Sequence, residues 1–134
     1  MRSVHEEAVE IVKAFLKASM APDPERAATL MAKNVQITFT GKRRMASVHE
    51  VTAFNAARYR WVRKQIGDFE WVAKDDGRTV IYCTGTLYGC WPDGREFEGN
   101  RYLDRYEVKG GEITMMDVWN DSAEWILAHE SQQK

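Results

Sequence analysis

Val4, Ala8, Ile11, Val12, Phe15 and Leu16 recur three and four positions apart, with Glu6, Glu7, Glu10 and Lys13 between them. This is the spacing of an amphipathic helix, here ending near Ala18, whose apolar stripe must be covered by another element. Asp23, Pro24 and Glu25 then supply an N-cap, a residue whose fixed φ suits the first helical turn and an early acid, so a short second helix is predicted over 24–32. A β-branched run over 35–40, closed by Gly41, predicts a first strand. Ser47 and Glu50 stand at the spacing of a capping box, and Val48, Val51, Phe54 and Ala57 carry a third helix to about Tyr59 or Arg60.

Beyond Arg60 the period changes to two, in four β-rich segments over 65–74, 78–90, 95–108 and 112–120. Asp75-Asp76-Gly77, Pro92-Asp93-Gly94 and Gly110-Gly111 separate them. Turns this short join antiparallel neighbours. Ser122, Ala123 and Glu124 open a final short helix, with a frayed tail over 131–134. The order implies an α+β domain in which three N-terminal helices pack on one face of a curved, mainly antiparallel sheet. Long strands twist, and helices laid on the concave side leave a cavity at the open end.

Composition narrows the reading. A chain of 134 residues, 44% hydrophobic and 29% charged, is expected to be one folded domain over 1–134. The net charge of −1 argues against a wholly basic nucleic-acid binder, yet residues 41–64 hold Lys42, Arg43, Arg44, Arg58, Arg60, Arg63 and Lys64 against the single anion Glu50. That segment carries +6 and leaves −7 for the rest. The interleaving of cations with Tyr59 and Trp61 also occurs in single-strand binders, but cations at a helix end satisfy exposed carbonyls, and the acidic remainder repels phosphate. No run reaches the ~18–20 apolar residues of a membrane span, so a cytoplasmic protein without a membrane partner is expected. Cys83 and Cys90 lie seven apart in one predicted strand, on opposite faces and roughly 23 Å apart at ~3.3 Å per residue, and are read as packing residues. Neither a metal motif nor a nucleotide motif is present, and no cofactor is expected.

Pro92-Asp93-Gly94 before a strand, Gly111-Glu112-Ile113 before the last one, and Asp117-Val118-Trp119-Asn120-Asp121 closing it resemble the SnoaL-like branch of the nuclear transport factor 2-like superfamily. The likeness runs from the first helix to Asp121 and implies a cone-shaped domain with a deep pocket, and a homodimer. The superfamily hosts polyketide cyclisation, steroid isomerisation, epoxide hydrolysis, dehydration and plain binding or scaffolding, so its fold alone chooses no function. Where its steroid isomerases carry an aspartate near the first strand, this sequence reads Val35-Gln36-Ile37-Thr38-Phe39-Thr40. The Arg-x-Asp pair of its epoxide hydrolases is missing from Tyr82-Cys83-Thr84-Gly85-Thr86-Leu87, and His5, His49 and His129 fall on predicted helices rather than on strands. The resemblance to the cyclases makes Asp117 the matching general base.

Read from the residues, Asp117 interrupts an apolar strand and shares its alternation with Ile113, Met115 and Trp119. A carboxylate among such side chains loses hydration and is suited to take a proton; the competing reading is an ion pair with an arginine. Asp104 is the second carboxylate, on the aromatic face of its strand with Asn100, Tyr102, Tyr106 and Val108, unless a bulge turns Arg101 and Leu103 inward. Tyr59, at the end of the roofing helix, and Tyr82, mid-sheet, are the aromatics chosen for the pocket, together with Asn100 and Trp119 as ligand contacts. These observations converge on a small-molecule pocket, with Asp117 as base on a carbonyl or polycyclic compound, Tyr59 or Tyr82 polarising an oxygen, Asp104 as a second carboxyl that would let one of the pair act as acid and the other as base, and no cofactor. The ligand is expected to be apolar with a carbonyl or acidic group. The rival is a non-catalytic ligand-binding or dimeric scaffold domain.

Overall fold

A computed structural model describes residues 3–132, with side chains through Ala128. Helix α1 (Val4–Met20) is capped by the Ser3 hydroxyl, which accepts from the Glu6 amide at 3.1 Å, and it buries Ala8, Val12, Phe15, Leu16 and Ala18. Asp23 caps α2 (Pro24–Ala28) in the same way. This second helix stops short of the predicted Ala32 because the next residues are already claimed by the sheet. The Ile113 amide donates to Leu30 O, and strand β1 (Met31–Phe39) pairs with the last strand from Met31 onward. Its partner lies some eighty positions away, a pairing that local propensity does not register.

A single 3₁₀ turn at Thr40–Lys42, with Gly41 at φ 74°, returns the chain as a three-residue strand β2 (Arg43–Met45) antiparallel to β1. Arg43 and Arg44 of the Lys42-Arg43-Arg44 cation run therefore stand on an edge strand. Helix α3 (Val48–Arg58) follows without the predicted capping box: the Ser47 side chain makes no cap bond, and Glu50 accepts instead from the amide of Ala46, one residue before the cap, at 2.6 Å.

The long strands β3 (Trp61–Ala73), β4 (Thr79–Cys90), β5 (Glu96–Lys109) and β6 (Glu112–Asn120) run as an antiparallel meander, and α4 (Ser122–Gln132) follows them. The sheet order is β2-β1-β6-β5-β4-β3, with only β1 and β6 parallel. The architecture is thus α+β: helices, then a curved six-stranded, mostly antiparallel sheet, then a closing helix. Of the predicted tail, α4 takes up residues 131–132, and 133–134 lie outside the described residues.

Two neighbouring rows across the sheet show how its faces divide. Ile37, Met116, Tyr106, Ile81 and Trp71 are successive partners on the inner face, and Phe15 of α1 meets the Tyr106 ring edge-on at 5.9 Å. One residue along, Thr38, Asp117, Arg105, Tyr82 and Glu70 form the corresponding row on the outer face. A one-residue offset exchanges these sets, so each bulge decides which side chains face the helices.

Candidate functional site

The inner face of β3–β6 and the overlying α1 and α3 enclose a cavity of about 80 Å³. Its walls are apolar: Phe15, Leu16 and Met20 from α1, Val51 from α3, and Val62, Leu87, Met116 and Val118 from the strands. Its polar residues are Ser19, Asn55, Tyr59, Arg63, Lys64, Tyr102, Asp104, Tyr106 and Asn120. A second hollow of about 200 Å³ adjoins it, sharing Ser19, Met20, Val51, Asn55, Tyr59, Val62 and Arg63 and adding Arg60 and Trp61.

Asp104 is fully buried. Its Oδ2 accepts from the Lys64 ammonium and from the Tyr106 hydroxyl, the latter at 3.1 Å, whereas Oδ1 has no hydrogen-bond partner. A buried carboxylate oxygen left without a donor is uncommon and costs about 1–3 kcal/mol or more, so it calls for a compensating reason. Burial, and then the charge of Asp104, hold the Tyr106 hydroxyl well above the ordinary tyrosine value, so it stays protonated and remains a donor. Beside this pair, the Tyr102 hydroxyl and the Cys83 thiol lie 3.2 Å apart. Burial pushes both up, which keeps Cys83 a thiol and unsuited to nucleophilic work.

Lys64 reaches Asp104 across β4, where the intervening inner-face position is Gly85. A Cβ there would lie 2.8 Å from the Tyr102 ring, so the glycine lets that ring lie over the sheet, and the Lys64 ammonium sits 4.4 Å from its centroid. Sequence reading missed Lys64 because it began this strand at residue 65. The strand starts at Trp61, and in that frame Val62, Lys64 and Ile66 share the inner phase. A lysine in phase with two aliphatic residues was the available signal.

Tyr59 caps the C-terminus of α3 and lies buried at the cavity wall, packed against Trp91 and Phe97 at 5.4 and 5.6 Å. Its hydroxyl donates to Ser122 Oγ at 2.6 Å, and Asn100 Nδ2 donates to the same oxygen at 2.8 Å. Asn100 is fully buried with its Oδ1 unpartnered, but it stands outside the lining of the inner cavity and acts on it only through Ser122 and Tyr59.

The other three sequence candidates face away. Between the Glu107–Met115 and Val108–Ile113 pairs, β6 carries one extra residue, Thr114. This bulge breaks the assumed common phase: Ile113 faces the core while Met115, Asp117 and Trp119 turn to the outer face. Asp117 lies 3.6 Å from Arg105 there, the ion-pair reading, and does not border the cavity. Trp119 is 54% exposed and Tyr82 36% exposed on that same face. On β5 the single irregularity falls at Gly99, before the critical run, so Asn100, Tyr102, Asp104 and Tyr106 keep one inward phase.

The assembled site therefore differs in membership from the expected one. It holds Asp104 and Tyr59, gains Lys64, Tyr102 and Tyr106, and lacks Asp117, Tyr82 and Trp119. Among the described residues, no group of three or more His, Cys, Asp or Glu side chains could hold a metal ion, and no helix is long and apolar enough to cross a membrane. The geometry offers a carboxylate that can accept a proton, an adjoining ammonium that can stabilise negative charge on oxygen, and apolar walls that strengthen both effects.

No family model matches the sequence, and no curated protein matches it. Solved structures do. An NTF2-like protein of unknown function from Burkholderia pseudomallei superposes with a TM-score of 0.73 at 18% identity, covering 90% of this chain and 95% of that one. TerC co-crystallised with polyporic acid gives 0.72 at 16% identity over 89% and 95%. A Jannaschia protein assigned to the SnoaL-like polyketide cyclases gives 0.71 at 14% identity over 94% of each chain. At these identities the likeness establishes the fold: the chain has the NTF2-like architecture shared by the SnoaL-like cyclases, as its turn phrases implied.

Proposed function

We propose that this protein binds a small carbonyl compound in the inner cavity and moves a proton on it with Asp104, the second carboxyl of the sequence reading, in the role expected of Asp117. The observation that carries this reading is the fully buried Asp104 at the cavity wall, with Oδ1 unpartnered and Lys64 on Oδ2. A carboxylate so placed takes a proton from carbon or oxygen while the ammonium stabilises the oxyanion that results, chemistry that calls on no cofactor. Tyr59 shapes the cavity, and Ser122 and Asn100 hold its hydroxyl in place. The structural neighbours named polyketide cyclases, and TerC with its polyporic acid, support a ligand site on this fold.

Exchange of the α-protons of cyclohexanone in D2O, followed by NMR, tests the reading. Wild-type protein is expected to accelerate exchange, and Asp104→Asn to lower the rate by about 10²-fold or more. Equal rates in the two proteins would overturn Asp104 as base. Binding without exchange would leave the non-catalytic ligand-binding reading.

A second copy of the chain is the proposed partner. Tyr82, Leu103 and Trp119 expose large apolar surface on adjoining strands of the outer face, away from the cavity. The domain assignment over 1–134 and a cytoplasmic setting belong to the same proposal.

A further inference from the structure

Of the ion pair at the cavity wall, only one member is open to a ligand. Asp104 has no exposed surface, whereas the Lys64 side chain is 21% exposed and lines the inner cavity. A carbonyl compound that enters there therefore meets Lys64 first. Among the described residues the Lys64 nitrogen has a single hydrogen-bond partner, Asp104, and it lies 4.4 Å from the centroid of the Tyr102 ring. The other lysines whose side chains are described are exposed, so this one alone combines a carboxylate contact with apolar surroundings.

An ammonium becomes a nucleophile only when it loses a proton, and burial among apolar groups favours that loss. The Asp104 carboxylate is in contact to take the proton, and its Oδ1, without a donor, leaves the anion incompletely hydrogen-bonded. Transfer turns two buried charges into two neutral groups, a change that apolar walls favour.

We propose that Lys64 is a catalytic residue that joins the ligand covalently, as an iminium. The ammonium gives one proton to Asp104, and the freed nitrogen bonds to the carbonyl carbon while the π electrons of C=O move to the oxygen. That oxygen takes a second proton from the nitrogen and then the one held by Asp104, and it leaves as water while the nitrogen lone pair forms the C=N bond. The ammonium and the carbonyl thus become a protonated C=N group and water, with no further reactant. Asp104 ends as a carboxylate beside a cation, so the buried charge balance is restored. The iminium draws electrons from the adjoining C–H bond and eases removal of its proton. This rests on the reading that a carbonyl compound occupies the inner cavity, and adds how it is activated.

Exchange of the carbonyl oxygen tests the step, because each iminium cycle replaces that oxygen with one from water, whereas enolisation by a base leaves it in place. Cyclohexanone is incubated with the full chain in water enriched in oxygen-18 and read by mass spectrometry. Wild type is expected to exchange the oxygen at least about tenfold faster than Lys64→Arg, which keeps a positive charge beside Asp104 without a nucleophilic amine. Cyanoborohydride added to wild type with the ketone should leave a cyclohexyl group on Lys64 at least about tenfold sooner than on the exposed Lys33 and Lys74. Peptide mapping uses wild type, so it decides the step even where Lys64→Arg fails to fold. Equal oxygen exchange by wild type and Lys64→Arg, or alkylation of Lys64 no faster than of the two surface lysines, would overturn the covalent step. Proton exchange on the α-carbon without oxygen exchange would overturn it too, while leaving Asp104 as the base. Absence of both exchanges would remove the proposed reaction with it.

Discussion

Arg105 and Asp117 face each other across β5 and β6 with their charged atoms 3.6 Å apart, while Asp104, the residue immediately before Arg105, turns to the opposite side of the sheet and meets Lys64. Two carboxylates that look equivalent along the chain are thus separated by the thickness of the sheet. Asp117→Asn is expected to change stability by no more than about 0.5 kcal/mol, the scale of a partly exposed ion pair, and to leave α-proton exchange within twofold of wild type. Chemical denaturation and the exchange assay together check this; loss of exchange in this variant would return the base to Asp117.

Glu107 lies buried on the outer face between Arg78 at 2.5 Å and Arg105 at 2.6 Å. Burial alone would raise its carboxyl, but the two guanidinium bonds hold it below the ordinary glutamate value of 4.5. A depressed carboxyl contributes its stability in full above that ordinary value and loses it as the pH falls through the lower folded value. Glu107→Gln should therefore cost about 1–3 kcal/mol at pH 7 and flatten the fall of Tm below pH 4.5. Thermal unfolding of both proteins over the acid range measures it, and an unchanged acid profile would mean that the clamp does not act.

A Cβ built on Gly85 lies 2.3 Å from Gln65 O and 2.8 Å from the Tyr102 ring. Since the first of these atoms is backbone, Gly85→Ala must part β3 from β4 and push the ring toward Lys64. The expected loss is about 1–3 kcal/mol in urea unfolding, accompanied by weaker ketone binding. Unaltered binding would show that Tyr102 does not shape the cavity.

Ser122 Oγ receives both Tyr59 and Asn100, and Ser122 is itself fully buried at the start of α4. Removing this hydroxyl leaves two buried donors without an acceptor. Ser122→Ala is expected to destabilise by about 1–3 kcal/mol and to raise amide exchange along α4 before the rest of the chain. A stability equal to wild type would show that water replaces the hydroxyl.

If the outer face joins two copies, sedimentation velocity should give twice the 15.5 kDa chain mass, and Trp119→Glu should shift it to monomer without altering ketone binding. A wild-type monomer at all concentrations would overturn the dimer.

Apart from the short edge strand β2, the order of elements was legible along the chain, because amphipathic periods, caps and Gly-containing turns are local properties. Residues 4–20 had to be a helix, and the four β-rich segments with short turns had to be an antiparallel meander. Alternation put Asp104 in one phase with Tyr102 and Tyr106, but that this phase faces inward was settled by the strand pairing, whose irregularity falls at Gly99, before the run. Tertiary structure decided the rest. The parallel pairing of β1 with β6 ended α2 early, because the hydrogen-bond partner of Leu30 lies far along the chain. The extra residue at Thr114 sent Asp117 and Trp119 outward, since a period of two has no memory across a bulge. The start of β3 at Trp61 set Lys64 beside Asp104, a contact between residues forty positions apart that only the closed sheet brings together.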